Sequence, residues 1–324
     1  MYTDLAEAEL RTYRGSALDP ADFDDFWKST LEEAREFDLG VTLSPVETGL
    51  RTIDVYDVAF VGFGGTPVRA WLRIPAGATG PLPAVVQFVG YGGGRGNAVE
   101  NLIWSSAGFA HFQMDTRGQG SSWSTGDTAD PVGSGPQSAG FMTRGIESRE
   151  TYYYRRVFVD AVRAIEAARS LDLIDESRVA VFGGSQGGGM AMAAAGLVPD
   201  VAALVANVPF LCDFPRATVI TDNDPYKEIG RYLATHRHAT DRVQETLSYF
   251  DGVNFARRAL APAHLSTALM DPICPPSTVF AAYNNYGGPK DITVWRYNGH
   301  DGGGVEDDLA ALRHFAAVLL PLST

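Results

Sequence analysis

The sequence predicts a doubly wound α/β fold, in which helices cover both faces of a mostly parallel central sheet. Three observations carry that expectation. From Leu82 onward, short apolar runs alternate with longer stretches of helical periodicity, the pattern of βαβ units around a buried parallel sheet. Ahead of them, two alternating segments joined by glycines read as an antiparallel hairpin. A serine between glycines then falls where one apolar run gives way to a helix of small residues.

The first fifty residues read as a helical extension. Asp19-Pro20 precedes a stretch in which Phe23, Phe26, Trp27, Leu31 and Ala34 recur at spacings of three and four, an amphipathic stripe that should pack on the main body. Residues 52–61 and 67–74, separated by Gly62, Gly64 and Gly65, form the hairpin at one edge of the sheet. The apolar runs at 84–89, 109–114, 178–183, 202–208, 264–270 and 292–298 supply the remaining strands. A long helix is expected over 147–171, and a closing helix over 306–320 that ends at Pro321. Residues 213–263 are too many for an ordinary connection. They carry helical pattern and read as a cap-like insert ahead of the next strand. One domain, 1–324, accounts for the chain on this reading.

Composition narrows the function classes. The chain has 324 residues, 45 % hydrophobic and 20 % charged, which excludes disordered and collagen-like classes. Twenty-six basic residues against 39 acidic ones leave a net charge of −13, a surface that repels phosphate backbones and anionic membranes. Neither nucleic acid nor membrane is an expected partner. The two cysteines, Cys212 and Cys274, make no disulfide framework and lack zinc-ligand spacing, so they read as buried free thiols. The first residues carry no apolar signal region, and no apolar run approaches the ~18 residues of a membrane span. A cytoplasmic protein is the expectation.

The sharpest chemical signal is Gly183-Gly184-Ser185-Gln186-Gly187, a G-x-S-x-G between a predicted strand and a predicted helix. A serine on such a turn stands clear of the sheet's carboxyl edge, and the glycines permit the strained backbone and close packing that the turn demands. An alcohol is a poor nucleophile at neutral pH, so Ser185 needs a base, and that base needs a carboxylate to hold its tautomer. The chain order for this fold is serine, acid, histidine. Of the histidines beyond the last predicted strand, His300 lies in a glycine-rich loop and His314 in the closing helix, which favours His300. His111, His236, His238 and His264 read as structural or surface residues. For the acid, Asp271 directly follows a predicted strand and precedes a proline-stiffened loop; Asp213 is the rival. The oxyanion needs two N–H donors, assigned to Gln186 and, in the loop Val89-Gly90-Tyr91-Gly92-Gly93-Gly94, to Tyr91. Phe210 and Pro276 are taken as walls of a short acyl pocket. In the Arg117-Gly118-Gln119 segment, Arg117 reads as a structural clamp pairing with Asp115, and Tyr152, Tyr153 and Tyr154 as core residues. No dinucleotide fingerprint, Walker lysine or clustered ligand set appears, so neither cofactor nor metal is expected.

Together, RGQG (117–120), GGSQGG (183–188), PFLCDF (209–214), DPICPPST (271–278) and Gly299-His300 resemble the acetyl xylan esterase and cephalosporin C deacetylase family, carbohydrate esterase family seven. The resemblance runs over nearly the whole chain. It implies an α/β-hydrolase that removes acetyl groups from small sugars, xylo-oligosaccharides and cephalosporins, with Ser185, Asp271 and His300 as its triad and Tyr91 and Gln186 as oxyanion donors. It also implies a cytoplasmic hexamer whose active sites face an inner cavity, restricting substrates to small molecules. Three positions depart from the family pattern: Val89 replaces a histidine, Gly92 an asparagine, and Asp301 a glutamate. Carboxylesterases of longer acyl preference, lactone hydrolases and peptidases share the expected fold, and an inert binding scaffold is the alternative outside enzymes.

Overall fold

The computed structural model describes residue 2 and residues 4–132 and 140–320. The chain opens with α1 (Glu7–Leu10) and α2 (Phe23–Arg35). In α2 the stripe at spacings of three and four is buried as its periodicity requires. The Trp27 ring meets Phe250 and Phe255 edge-on at 5.5 Å, and its indole N–H donates to the Tyr249 carbonyl at 2.9 Å. The extension is less helical than the sequence suggests. Its two helices are joined by irregular chain, and β1 (Thr42–Pro45) extends the sheet where helix was expected.

The sheet continues through β2 (Ile53–Val61), β3 (Pro67–Pro75) and β4 (Leu82–Phe88), then α3 (Ile103–Ser106), β5 (Ala110–Met114), α4 (Tyr153–Arg169), β6 (Ile174–Gly184), α5 (Gln186–Leu197) and β7 (Leu204–Asn207). The insert supplies α6 (Phe214–Ile220), α7 (Tyr226–Thr235), α8 (Thr240–Ser248) and α9 (Gly252–Arg258). The chain closes with β8 (Ala263–Ala268), α10 (Pro276–Asn285), β9 (Lys290–Trp295) and α11 (Val305–Leu319). Pro321, expected at the end of the closing helix, lies outside the described residues.

The strand order is β1-β2-β3-β5-β4-β6-β7-β8-β9. Pairing is antiparallel from β1 to β5 and parallel from β5 to β9. Every residue of β5, β7 and β8 is buried, as in a sheet covered on both faces. The chain leaves β4 toward one edge of the sheet and β6 toward the other, so a crevice opens between their carboxyl ends. Ligands of open α/β sheets bind at such a switch point. The insert shares the main core rather than standing apart, because Tyr226, Val243, Phe250 and Phe255 are fully buried in it. No helix among the described residues is long and apolar enough to cross a membrane.

Arg117 clamps its loop, but with a different partner from the one expected. Its guanidinium forks onto Asp160 of α4 at 2.5 and 2.8 Å, with both side chains fully buried. Asp115 is engaged elsewhere: its carboxylate accepts the backbone N–H groups of Arg95, Thr116, Asp127 and Thr128. Loop amides without a sheet partner need those oxygens, whereas the guanidinium fork needs a carboxylate aimed from outside the loop. Asp160 also accepts the Phe63 N–H at 2.9 Å, which ties the hairpin turn to the same ion pair. Removing one member of a buried pair strands the other charge. Arg117→Ala is therefore expected to cost about 3–5 kcal/mol of stability, read as a lowered urea midpoint; an unchanged midpoint would show that the pair holds nothing together.

Candidate active site

The serine turn is built by close approach. Ser185 links β6 to α5 with φ 55° and ψ −122°, a conformation that side-chain-bearing residues adopt only when their surroundings over-determine it. A Cβ at Gly183 would stand 2.1 Å from the Gly187 carbonyl carbon, and one at Gly187 would stand 2.3 Å from the Phe88 carbonyl oxygen. Glycine at both positions lets α5 start directly against the ends of β4 and β6. The Ser185 N–H donates to the Asn207 carbonyl at 2.9 Å, and its own carbonyl accepts the Phe210 N–H at 2.9 Å. The turn is thereby held between two strand ends.

His300 and Asp271 meet Ser185 from the ends of β9 and β8. The His300 Nε2 atom lies 3.0 Å from Ser185 Oγ, and its Nδ1 lies 2.9 Å from Asp271 Oδ2. Asp271 is fully buried, and its other oxygen accepts the N–H groups of Ile273 and Cys274 at 2.8 and 3.0 Å. A carboxylate only accepts, so this contact places the imidazole proton on Nδ1 and leaves Nε2 to take one from the serine. Asp213, the rival acid, instead anchors the N-terminal extension through Tyr13 and Ser16. His314 reaches the Pro262 carbonyl. Asp301 turns its carboxylate back onto the Gly299 N–H and the Asn298 amide, and these bonds, Asn298 first, lower its pKa.

The loop after β4 brings Tyr91 beside the serine. Among the described residues, no group accepts the backbone N–H of Tyr91 or Gln186. A buried set of amides and phenols supports both residues. Gln119 accepts the Gly92 N–H at 2.7 Å and donates to the Gln186 side chain at 2.9 Å. The Gln186 amide donates to the Val89 carbonyl at 3.1 Å and accepts from the Tyr154 hydroxyl at 2.9 Å. Tyr153, whose hydroxyl donates to the Arg117 carbonyl, also accepts from Gln119. Gln119 and the two tyrosines thus support the site as well as the core. Gly92 has φ 78°, a left-handed conformation that glycine adopts without strain, and a Cβ there would stand 2.5 Å from the Ser122 hydroxyl oxygen.

Glu228, which the sequence reading missed, reaches this loop from α7 of the insert. Its two oxygens lie 2.8 and 2.9 Å from the Tyr91 hydroxyl, and it accepts the Met142 N–H at 3.1 Å. The Tyr91 oxygen in turn accepts the Phe141 N–H at 2.7 Å. Burial raises the Glu228 pKa, opposed by its bond to Tyr91, and burial followed by the Glu228 charge raises that of Tyr91. Nothing in the local sequence marks Glu228, because its partner lies more than a hundred residues away.

Two clefts open on Ser185. The smaller, about 370 Å³, is lined by Tyr91, Trp123, Pro225, Ile273 and His300 among others. The larger, about 870 Å³, runs over the ends of β4 and β5. Trp123, mostly exposed, stands between them, with its indole N–H on the Tyr91 carbonyl. Phe210 and Pro276, expected as pocket walls, line neither cleft. Phe210 is fully buried behind Tyr91 and against Tyr226, where the turn after β7 directs its ring into the core. Pro276 is buried as the first residue of α10. Both cysteines are buried free thiols. The Cys274 sulfur lies within 4.8 Å of the facing Asp271 and His300 ligand atoms. Burial, then the Asp271 charge, raises its pKa and keeps it a neutral thiol. This trio could offer three atoms to a metal, but Asp271 and the imidazole are already engaged with one another and with Ser185.

The model of the acetyl xylan esterase (AXE1) family matches residues 1–316. The chain is 31 % identical over 288 residues to the acetyl esterase Axe7A of Xylanibacter ruminicola, an alignment that takes in 87 % of this chain and 63 % of that longer protein. Among solved structures, an acetyl xylan esterase from a Paenibacillus species superposes with a TM-score of 0.93 at 37 % identity, covering 97 % of this chain and all 100 % of the other. Acetyl xylan esterase 1 from a Thermoanaerobacterium species gives 0.89 at 34 % identity, covering 96 % and 98 %. The Pyrococcus horikoshii acylaminoacyl peptidase gives 0.63 at 17 % identity, covering 85 % and 43 %, a likeness of fold alone. Sharing its fold with these hydrolases and its sequence with the esterases among them, the chain belongs to the acetyl xylan esterase family.

Proposed function

We propose that this chain is a serine esterase that removes acetyl groups from small acetylated substrates, including acetylated xylo-oligosaccharides, sugar acetates and the acetoxy group of cephalosporins. The observation that carries the reading is the hydrogen-bonded line from Ser185 through His300 to buried Asp271, at 3.0 and 2.9 Å, below a small and mostly apolar cleft. Ser185 Oγ attacks the acetyl carbonyl while His300 Nε2 takes its proton. The Tyr91 and Gln186 N–H groups receive the developing oxyanion. His300 then protonates the departing alcohol, leaving an acetyl-enzyme that water resolves by the same steps in reverse. Asp271 stabilises the imidazolium formed at each stage. Pro225, Ile273 and the Tyr91 ring leave room for a short acyl chain. Resemblance to the family supports a hexamer as the working assembly.

The test is kcat/KM for p-nitrophenyl acetate, butyrate and octanoate, measured on the protein and on Ser185→Ala. A steep acetyl preference is expected, with a loss on the order of 10⁶ in kcat for the variant. A flat or long-chain preference would overturn the acetyl assignment, and activity indifferent to Ser185 would overturn the mechanism. Tyr91→Phe retains the donating N–H and loses the anchor to Glu228. Because misplacing a donor by about 1 Å can cost on the order of 10²-fold, kcat is expected to fall toward that limit while KM stays within about threefold. An unchanged kcat would remove Glu228 and the Tyr91 hydroxyl from oxyanion positioning.

A further inference from the structure

The loop between β9 and α11 carries His300 and, immediately ahead of it, Asn298-Gly299, the one Asn-Gly pair in the sequence. An asparagine side chain holds an amide carbon close to the next backbone nitrogen, and glycine leaves that nitrogen unhindered. The fold itself does not ask for glycine here. The φ of Gly299 lies outside the left-handed region, and a Cβ would meet only Asp301 Oδ1 at 3.6 Å and the Met270 carbonyl oxygen at 3.8 Å, both ordinary contacts. Asn298 and Gly299 are each partly exposed, so water reaches them.

Both reacting groups end on one carboxylate. Asp301 Oδ1 accepts the Gly299 N–H at 3.0 Å, and Oδ2 accepts the Asn298 amide N–H at 3.0 Å. The nitrogen becomes a nucleophile only by losing its proton, and an anion beside it opposes the second negative charge. Asn298 is also the point where the histidine and acid loops are joined. Its backbone carbonyl accepts the N–H of Met270, the residue before Asp271, at 3.1 Å. The chain path from Asn298 therefore sets the His300 ring against Asp271 at 2.9 Å and Ser185 at 3.0 Å.

We propose that Asn298-Gly299 is a self-modification site guarded by Asp301, where conversion of Asn298 to isoaspartate disconnects His300 from Asp271 and Ser185. The Gly299 nitrogen gives up its proton and attacks Asn298 Cγ. The new C–N bond closes a succinimide while the Cγ–Nδ2 bond breaks, and Nδ2 departs with the proton as ammonia. Water then opens the ring. Cleavage at Cγ–N gives aspartate, whereas cleavage of the original peptide C–N bond gives isoaspartate, whose main chain runs through Cβ and Cγ. Water enters and ammonia leaves, with no oxidant or metal in the balance. The isoaspartyl chain is longer by one carbon, about 1.5 Å, and the carbonyl that held the Met270 N–H becomes a free carboxylate. Misplacing a catalytic group by about 1 Å can cost on the order of 10²-fold, so this form is expected to be nearly inactive. The covalent step stands apart from the esterase reading, and the loss of activity rests on it.

The experiment ages the full chain at mildly alkaline pH and follows the peptide that carries residue 298 by mass spectrometry. Isoaspartate is counted by methyltransferase labelling, and kcat/KM for p-nitrophenyl acetate is measured alongside. In the parent the peptide is expected to gain one mass unit with time, and activity to fall in step with the isoaspartate. Asp301→Ala is expected to convert at least fivefold faster. Gly299→Ala, which the loop accommodates, is expected to begin within twofold of the parent activity and to convert at least tenfold more slowly. Activity lost as fast in Gly299→Ala as in the parent, or an isoaspartyl form as active as the parent, would overturn the proposal. An Asp301→Ala rate equal to that of the parent would overturn the guard. Should Asp301→Ala not fold, the parent and Gly299→Ala decide by the same two measurements. Ester hydrolysis that survives Ser185→Ala would instead overturn the esterase reading and leave the mass measurement standing.

Discussion

The backbone at Ser185 is the constraint on which the site depends. A serine at φ 55° and ψ −122° is an unfavourable residue conformation, of order 1–3 kcal/mol, and persists only where its surroundings leave no alternative. Those surroundings are two glycines that bring α5 within contact of the ends of β4 and β6, and backbone bonds from Asn207 and Phe210 that grip the turn on its other side. Relaxing the turn would move Oγ away from His300 and redirect the Gln186 N–H at once. One strained bend thus fixes both groups.

Below that turn the protein buries polar groups where a simpler core would be apolar. Gln119, Gln186, Tyr153 and Tyr154 form a connected hydrogen-bonded set, and the Arg117–Asp160 pair locks the loop that presents Gln119. In a low-dielectric interior such a set is rigid when satisfied and costly when broken. It gives the loop after β4, which has no sheet partner, a fixed position relative to Ser185. A second set, Gln87, His111, Arg73 and Gln113, lies under the larger cleft and fixes amide direction in the same manner. The first network lets a loop sit with the precision of a strand, and the second fixes side-chain direction on three strands.

The insert between β7 and β8 serves the same end. It buries aromatic residues in the main core, and through Glu228 it holds the side chain of Tyr91, which lines the smaller cleft with Ser185. Asp213, at the entry to the insert, anchors Tyr13 and Ser16 of the N-terminal extension. Segments remote in sequence are therefore drawn around one site by a few buried carboxylates.

The sequence by itself determined the parallel sheet, the hairpin at its edge, the position of the insert and the order serine, acid, histidine, because each rests on local periodicity or on a turn that only particular residues can make. It also pointed to Tyr91 and Gln186, which the path of the chain places next to Ser185. What it left to tertiary structure were choices among partners. Asp115 and Arg117 are two residues apart and still find different partners, because loop amides capture one and a helix carboxylate the other. Phe210 turns into the core, and Pro225, Ile273 and Trp123 become the walls in its place. Glu228, Gln87 and Gln113 take their orientations from donors that only the folded chain brings within 3 Å or so. Local sequence constrains backbone conformation, whereas the direction of a buried polar side chain is settled by whichever distant group would otherwise be left unpaired.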